Sequence, residues 1–297
     1  METVALEFVP PTIDDGVEKA QEEVLKALEL AGQSGIGEHI GHLMIPGMIE
    51  EDPDRPVELK PRLDTLDTWR AAREAAPHLK GLCTQVTAFL DQERLSSRFS
   101  QLLDAGVEGV IFVGVPRTMQ DGEGTGVAPT DALEIFRGQV PNRGAILIPT
   151  REGELGRFSF KCQKGANFAL TQLLYSDSIV RFLEEFSKEN DHRPEVLLSF
   201  GFVPKVETKV ELIRWLIQDP GNPLAESEQR TVARLAEASP QEKRQELVEL
   251  YRNVVDGVRA LGFPVSIHFE TPYGFSRPAL DTLAEMLAHW APGGDRR

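Results

Sequence analysis

Short apolar runs alternate with longer amphipathic segments along the whole chain. Apolar residues at every second position are typical of a β-strand, and apolar residues three or four positions apart are typical of a helix. The first run, VALEFV, is followed by a helical pattern in GVEKAQEEVLKALELAG. The later strand-like runs are HIGHLMIPG, LCTQVTAF, GVEGVIFVGV, AILIPT, NFALTQLLY, EVLLSFGFV and VSIHFET, each with a predicted helix after it.

Two of the predicted helices carry clear terminal signals. The helix in DQERLSSRFSQLLDAG begins after Asp91, a good capping residue, and ends at Gly106. An extra helical insertion precedes the last strand, and its second half starts with the capping-box pair Ser239 and Glu242. Gly262 ends that helix just before the last strand.

Eight successive strand-helix units predict an α/β fold, a (β/α)8 TIM barrel with an extra helical insertion before the last strand. A doubly wound sheet is the alternative. It usually carries a phosphate-binding glycine turn after its first strand, and here Pro10 and Pro11 occupy that place. Because composition does not change along the chain, we predict a single barrel domain over residues 1–292 and a disordered tail over 293–297.

Composition limits the cellular compartment and the classes of partner that we expect for this protein. The 297 residues carry a formal net charge of −15, and such an acidic surface repels nucleic acid and anionic lipid, so neither is expected as a partner. No apolar run is long enough to span a membrane. The only two cysteines, Cys83 and Cys162, argue against a disulfide scaffold and favour a reducing cytoplasm. The pattern leaves the oligomeric state undetermined.

Polar residues collect where the predicted strands end, and in a TIM barrel catalytic groups gather at those carboxyl ends. In the last strand Ser266, His268 and Glu270 share one face, which makes sense if that face borders a site. We therefore predict that Glu7, at the end of the first strand, lies in a ligand pocket and is not merely a solvent-exposed acid. The candidates at strand ends are Glu7, Gln85, Thr87, Thr150, Arg151, Gln172, His268 and Glu270.

Three segments together resemble the methylenetetrahydrofolate reductase family. The family's first strand typically ends Glu-Phe-Phe-Pro-Pro, and this chain has EFVPP at residues 7–11. The family's sixth strand carries an Ala-Gly-Ala-Asn motif followed by Thr-Gln, and this chain has KGANFALTQ at residues 164–172. The last strand's His-Phe-Tyr-Thr becomes HFET at residues 268–271, and the likeness spans nearly the whole chain.

The resemblance implies reduction of 5,10-methylenetetrahydrofolate to 5-methyltetrahydrofolate by a reduced nicotinamide, NADH or NADPH. Glu7 inherits the role of general acid, because opening the five-membered ring requires protonation of a nitrogen. Gln172 inherits a contact with the pterin. Glu270, where the family has Tyr, is expected to replace a pterin-binding carboxylate lost elsewhere, with a solvated strand-end acid as the alternative. Gln85 and His268 complete the predicted substrate contacts.

Departures from the family concentrate on the flavin side. The family's fourth strand ends Leu-Arg-Gly-Asp-Pro, and here FVGVP keeps Gly114 but loses both charges. Lys161 matches a basic residue of the family, while Phe160 stands where Arg is usual. We therefore expect FAD to bind weakly or not at all, with direct hydride transfer from the nicotinamide. The predicted cofactor contacts are Thr87, Arg151, Lys161 and Gly114.

Other signals leave alternatives open. A flavin- or deazaflavin-dependent oxidoreductase on the same barrel and a non-catalytic folate-binding protein remain possible functions. The basic stretch of Arg151, Arg157, Lys161 and Lys164 is either an anion site or a solvated helix face. GEGTG at residues 122–126 is interpreted as a mobile loop rather than a phosphate loop. His39 and His42 lack the partners of a metal site, so no metal is expected. Cys83 is assigned to packing, with a thiol that faces the site as the alternative.

Overall fold

Eight parallel strands form a closed barrel. The computed structural model describes residues 2–48, 55–115, 124–270 and 274–290. Its strands are β1 (Val4–Glu7), β2 (Ile40–Ile45), β3 (Lys80–Val86), β4 (Val107–Val113), β5 (Asn142–Leu147), β6 (Phe168–Thr171), β7 (Glu195–Gly201) and β8 (Val265–Glu270). Each strand pairs with its neighbours in chain order, and β8 pairs with β1. The predicted TIM barrel is confirmed.

Helices alternate with the strands and surround the barrel. They are α1 (Gly16–Gln33), α2 (Thr65–Ala75), α3 (Gln92–Asp104), α4 (Pro129–Ile135), α5 (Glu154–Lys164), α6 (Ser178–Glu189), α7 (Glu207–Leu216), α8 (Pro223–Glu237), α9 (Pro240–Ala260) and α10 (Arg277–Leu287). The predicted caps are present: Asp91 accepts from the Arg94 backbone N–H, and Ser239 with Glu242 forms the capping box of α9. No helix within the described ranges is long and apolar enough to cross a membrane.

The extra helices before the last strand are confirmed, and the structure shows how they divide. The long helix α9 packs against α6, α10 and β8, so it fills the ring position between β7 and β8. The shorter α7 and α8 pack on each other as an additional hairpin. Because α7 begins shortly after the carboxyl end of β7, this hairpin stands at the carboxyl-terminal end of the barrel, where a site is expected.

Period-2 alternation divides each strand between two apolar layers. Val4, Leu6 and Phe8 belong to the large core between barrel and helices, whereas Ala5 packs inside the barrel. The interior cluster consists of Ala5, Met44, Leu82, Ile111, Phe168, Leu170 and Leu197. This apolar plug fills the middle of the barrel, so polar residues above it stand at the carboxyl-terminal mouth.

Gly144→Ala is expected to destabilise the fold. A Cβ at Gly144 would lie 2.5 Å from the Phe168 ring and 2.8 Å from Ile111 Cγ1, inside the packed plug. Overpacking of this kind costs about 1–3 kcal/mol of unfolding free energy. Urea denaturation of Gly144→Ala and of Gly156→Ala measures the effect, since nothing lies within 4 Å of a Cβ at Gly156 in α5. Equal stability of the two variants would contradict the packing account.

The tail predicted for residues 293–297 lies outside the described residues, and so does the first part of the GEGTG segment. The single-domain boundary at residues 1–292 stays a prediction.

Candidate active site

Glu7 and Glu270 lie side by side at the carboxyl-terminal mouth of the barrel. Leu6 pairs with Phe269 across β1 and β8, so the next residues, Glu7 and Glu270, stand at the same level. Ala5, two positions before Glu7, packs in the barrel interior, and alternation turns Glu7 to the same side. Neighbouring strands are about 4.8 Å apart, so the two carboxyl-bearing side chains are neighbours.

Burial shapes the protonation of this pair. Glu7 is 8% exposed. Glu270 keeps limited contact with water through the mouth, but protein surrounds it, and this burial raises the pKa of Glu270 to about 7. Two adjacent carboxyl groups resist double ionisation, because the first negative charge disfavours the second. Near neutral pH such a pair can retain a proton, which is what a general acid needs.

Glu270→Gln is expected to remove a pH dependence of stability. The raised pKa, about 7 against an ordinary value of 4.5, means that the folded protein holds a proton that the unfolded chain releases. This stabilisation is fully present below pH 4.5 and is lost as the pH rises through about 7. Urea denaturation across this range should show the wild type losing unfolding free energy relative to Glu270→Gln. If the unfolding free energy of the wild type stays constant or rises relative to that of Glu270→Gln as the pH increases, the assignment is contradicted.

His268 is held as a neutral acceptor below the carboxyl pair. It is 1% exposed, and burial lowers the pKa of His268 to about 3. The Ser199 hydroxyl donates to the Thr171 carbonyl at 2.7 Å and lies 2.9 Å from His268 Nδ1. Because Ser199 has one hydroxyl proton, Nδ1–H of His268 is assigned as the donor to Ser199 Oγ. Nε2 is then an acceptor, and it has no hydrogen-bond partner among the described residues.

Polar contacts occupy the opposite, amino-terminal end of the barrel. Thr3 Oγ1 lies 2.8 Å from His42 Nδ1, and His42 Nε2 lies 2.5 Å from Glu108. Lys80 donates to the other Glu108 oxygen at 3.1 Å. His42 is therefore engaged at both ring nitrogens. Over residues 2–48, 55–115, 124–270 and 274–290, no group of three or more His, Cys, Asp or Glu side chains is arranged to hold a metal ion.

Gln85 and Thr87 stand at the rim, away from the carboxyl pair. Gln85 accepts from Arg98 Nε at 3.1 Å and donates to the Val86 carbonyl at 2.8 Å, which holds it toward the helix layer. It lines a cleft of about 480 Å³ beside α2 and α3. Thr87 is buried, and its backbone N–H donates to the last carbonyl of β4 at 3.0 Å. Their roles as substrate and cofactor contacts stay predictions.

Gln172 connects the end of β6 to the α7–α8 hairpin. Its side-chain Nε2 donates to the carbonyl of Leu216, the last residue of α7. On the neighbouring strand end, the Thr150 carbonyl accepts from Asn222 Nδ2 at 2.5 Å. These two bonds fasten the hairpin above the ends of β5 and β6. Gln172 keeps its carbonyl oxygen for other partners, and its contact with the pterin stays a prediction.

The hairpin also meets the connection between β2 and α2. The Arg55 guanidinium stacks on the Trp215 ring of α7, with 5.4 Å from the guanidinium carbon to the ring centroid. In the strand order only β1 and β8 lie between β2 and β7 on this side. The contact therefore joins two rim segments on the side of the mouth where Glu7 and Glu270 stand.

A buried carboxylate neutralises the basic stretch in α5. Glu154 is 1% exposed, and its two oxygens bind Lys161 at 3.0 Å and Arg157 at 3.1 Å. Lys161 also donates to the Ile146 carbonyl at 2.8 Å. Arg151 is exposed in the turn before α5. Lys161 thus has a structural role, while cofactor binding by Lys161 and Arg151 stays a prediction.

Two further candidates lie close to packed neighbours. A Cβ on Gly114, just beyond β4, would lie 3.3 Å from Pro129 Cγ, so the start of α4 covers this strand end closely. Cys83 belongs to the core between barrel and helices, and burial raises the pKa of its thiol to about 12. Cys83 is therefore a packing residue, as expected, and cofactor binding at Gly114 stays a prediction.

Ser199 and Glu154 were missed by the sequence reasoning. Ser199 alternates with Leu197 and Gly201 on β7, so the period-2 argument used for β8 would have placed it inside the barrel. Glu154 carried no such signal, because it follows a turn and its pairing with Lys161 depends on the α5 geometry. Contacts of that kind become visible only in three dimensions.

A closed (β/α)8 barrel with two adjacent acids at its carboxyl-terminal mouth defines the class of TIM-barrel proteins that carry a site at this face. Within that class, the family model for mycobacterial methylenetetrahydrofolate reductase matches residues 1–294. The chain belongs to this family. A comparison with curated proteins finds no match.

A solved structure agrees on the fold. An uncharacterized protein from Clostridium thermocellum, which binds two copies of 5-methyl-5,6,7,8-tetrahydrofolic acid, matches with a TM-score of 0.61 and 16% identity, covering 97% of this chain and 94% of that one. The carboxyl transferase domain of Rhizobium etli pyruvate carboxylase matches with a TM-score of 0.49 and 11% identity, covering 99% of this chain and 45% of that one. At 16% identity, the likeness to the Clostridium thermocellum protein concerns the fold alone.

Proposed function

We propose that this protein reduces 5,10-methylenetetrahydrofolate to 5-methyltetrahydrofolate with a reduced nicotinamide, by direct hydride transfer. The observation that carries the proposal is the carboxyl pair of Glu7 and Glu270 at the mouth of a barrel of this family. The Clostridium thermocellum protein adds support, because a barrel of similar fold binds the product of this reaction.

Glu7 acts as the general acid. The methylene carbon of the substrate bridges two nitrogens, N5 and N10, and protonation of N10 lets the C–N10 bond break. The electron pair of that bond stays on N10, and the remaining iminium at N5 accepts a hydride to become the methyl group. A carboxyl group can supply this proton if it is protonated near neutral pH, and the adjacent Glu270 favours that state.

Three other side chains orient the pterin. The acceptor Nε2 of His268 and the carbonyl oxygen of Gln172 suit the N–H groups of a reduced pterin. Glu270 offers a carboxylate to the same ring when Glu7 holds the proton. The apolar plug below excludes water from the underside of the site.

The residues at the expected flavin contacts do not fit FAD. Lys161 is committed to Glu154 and the Ile146 carbonyl, and Phe160 is exposed where the family has Arg. Gly114 is flanked by Val113 and Val115, which offer no charge to a flavin. The nicotinamide is therefore the direct hydride donor in this proposal. A flavin- or deazaflavin-dependent reaction on the same barrel is the competing enzyme function.

An anaerobic assay tests the proposal. Purified protein whose visible spectrum shows no flavin is mixed with methylenetetrahydrofolate and NADH, then NADPH, and nicotinamide oxidation is followed at 340 nm. Turnover without flavin supports direct transfer. Turnover only after adding FAD would replace this proposal with the flavin-dependent one. If the protein binds folate but shows no turnover either without or with added FAD, the non-catalytic folate-binding function would replace this proposal.

A further inference from the structure

A second cleft, lined in part by Glu7, lies beside the barrel. It has a volume of about 420 Å³ and lies between the end of β1, helix α1 and the segment before α10. This volume falls in the usual range for small-molecule sites, about 300–1,000 Å³. The half-buried apolar side chains of Val9, Leu30 and Phe275 form its walls.

Two cations stand along this cleft. Lys26 is exposed on α1, and Arg62 is half-buried in the connection before α2. Arg62 Nη1 donates to the Pro10 carbonyl at 3.1 Å, and its Nε is buried with no hydrogen-bond partner among the described residues. Within the part of the chain that the structure describes, neither cation forms an ion pair. Among the described residues that line this cleft, the acids are Glu23, in the α1 wall, and Glu7. Asp15, outside the lining, interacts electrostatically with Arg62.

We propose that this cleft binds the aminobenzoyl-glutamate tail of a reduced folate, with its aromatic ring between the apolar walls and its carboxylates at Lys26 and Arg62. The inference rests on the proposed function. If Glu7 protonates N10, it faces the atom to which the aminobenzoyl ring is bonded, so the tail must leave the site from beside Glu7. The cleft is lined by Glu7, by apolar side chains that suit the ring and by two cations that suit the carboxylates.

The two cations also offset the repulsion between the acidic protein and the anionic tail of a folate. The protein carries a formal net charge of −15, which disfavours a polyanionic ligand at long range. The basic stretch in α5 does not offset this charge near the mouth, since Glu154 and Glu134 pair with its lysines. Lys26 and Arg62 place positive charge beside Glu7 instead.

Two variants of opposite charge test the proposal. Lys26→Met removes a cation and Glu23→Gln removes an acid, and neither side chain makes a hydrogen bond or ion pair within the described residues. Calorimetric titration uses 5-methyltetrahydrofolate, which carries the tail, and 6-methyltetrahydropterin, which lacks it. Lys26→Met should weaken folate binding about five-fold, and Glu23→Gln should strengthen it by a smaller factor. Both effects should fade in about 0.5 M salt.

The tail-free pterin separates the possible results. Its affinity should be unchanged in both variants, and in Lys188→Met, a lysine on α6 away from the cleft, neither ligand should change. Unchanged folate affinity in both cleft variants, or equal changes for both ligands, would overturn the tail site while leaving folate binding intact. If the wild type binds neither ligand, the proposed function fails and the tail site fails with it.

Discussion

Replacing Glu7 with Gln is expected to slow turnover by at least about 100-fold while leaving folate binding in place. Gln is nearly the same size as Glu, but its amide is not acidic enough to transfer a proton to N10. The C–N10 bond would then have to break without protonation of N10. Loss of a positioned general acid costs about 10²- to 10⁴-fold in rate. Glu7 is 8% exposed and stands beside Glu270, so an uncharged replacement also relieves the repulsion within the pair. Stopped-flow measurement of nicotinamide oxidation gives the rate, and calorimetry gives the folate affinity.

The control is Glu152→Gln, in the exposed turn before α5, which should keep the wild-type rate. A Glu7→Gln rate within ten-fold of wild type would show that the proton comes from elsewhere. A loss of folate binding equal to the loss of rate would make Glu7 a binding residue rather than the acid.

Lys161→Met is expected to destabilise the protein by about 3 kcal/mol, because it leaves the buried Glu154 with one cation instead of two. Glu154 is 1% exposed, and Lys161 also satisfies the Ile146 carbonyl. The Arg157 contact remains, but Arg157 is more exposed than Lys161 and so shields the carboxylate less. Urea denaturation measures the change in unfolding free energy.

The double variant Lys161→Met with Glu154→Gln should recover part of that loss, since it removes the buried charge along with its partner. Lys164→Met is the surface control. Its partner Glu134 is 57% exposed, and such pairs contribute up to about 1 kcal/mol. A stable Lys161→Met that instead raises the KM for NADH would contradict the structural role and place Lys161 at the nucleotide.

The strands could be predicted from the sequence because a barrel strand that is buried on both faces is a short, nearly continuous apolar run. The faces of β1 and β8 then follow from the alternation of side chains along a strand. Glu7 and Glu270 interrupt these apolar runs at the mouth, and the interruption itself pointed to a site. The division between α7, α8 and α9 could not be predicted, because all three are amphipathic and the ring position is decided by which helix covers β8.

The site was predictable where it lies on strands and not where it lies on connections. His268 and Glu270 follow from alternation on β8. Arg62 stands in the long connection between β2 and α2, where no period fixes side-chain direction. Lys26 is one of several lysines on polar helix faces, and its place in the cleft depends on how α1 and the segment before α10 meet.

Direct hydride transfer can be followed with NADH deuterated at the transferable C4 position, incubated anaerobically in ordinary water with methylenetetrahydrofolate and no flavin. The account predicts 5-methyltetrahydrofolate whose methyl group carries one deuterium, with no loss to solvent. Glu7→Gln should form this product at least about 100-fold more slowly. A methyl group that carries only solvent hydrogen would mean that the hydride passes through an exchangeable carrier. That result, or the absence of 5-methyltetrahydrofolate altogether, would contradict the account.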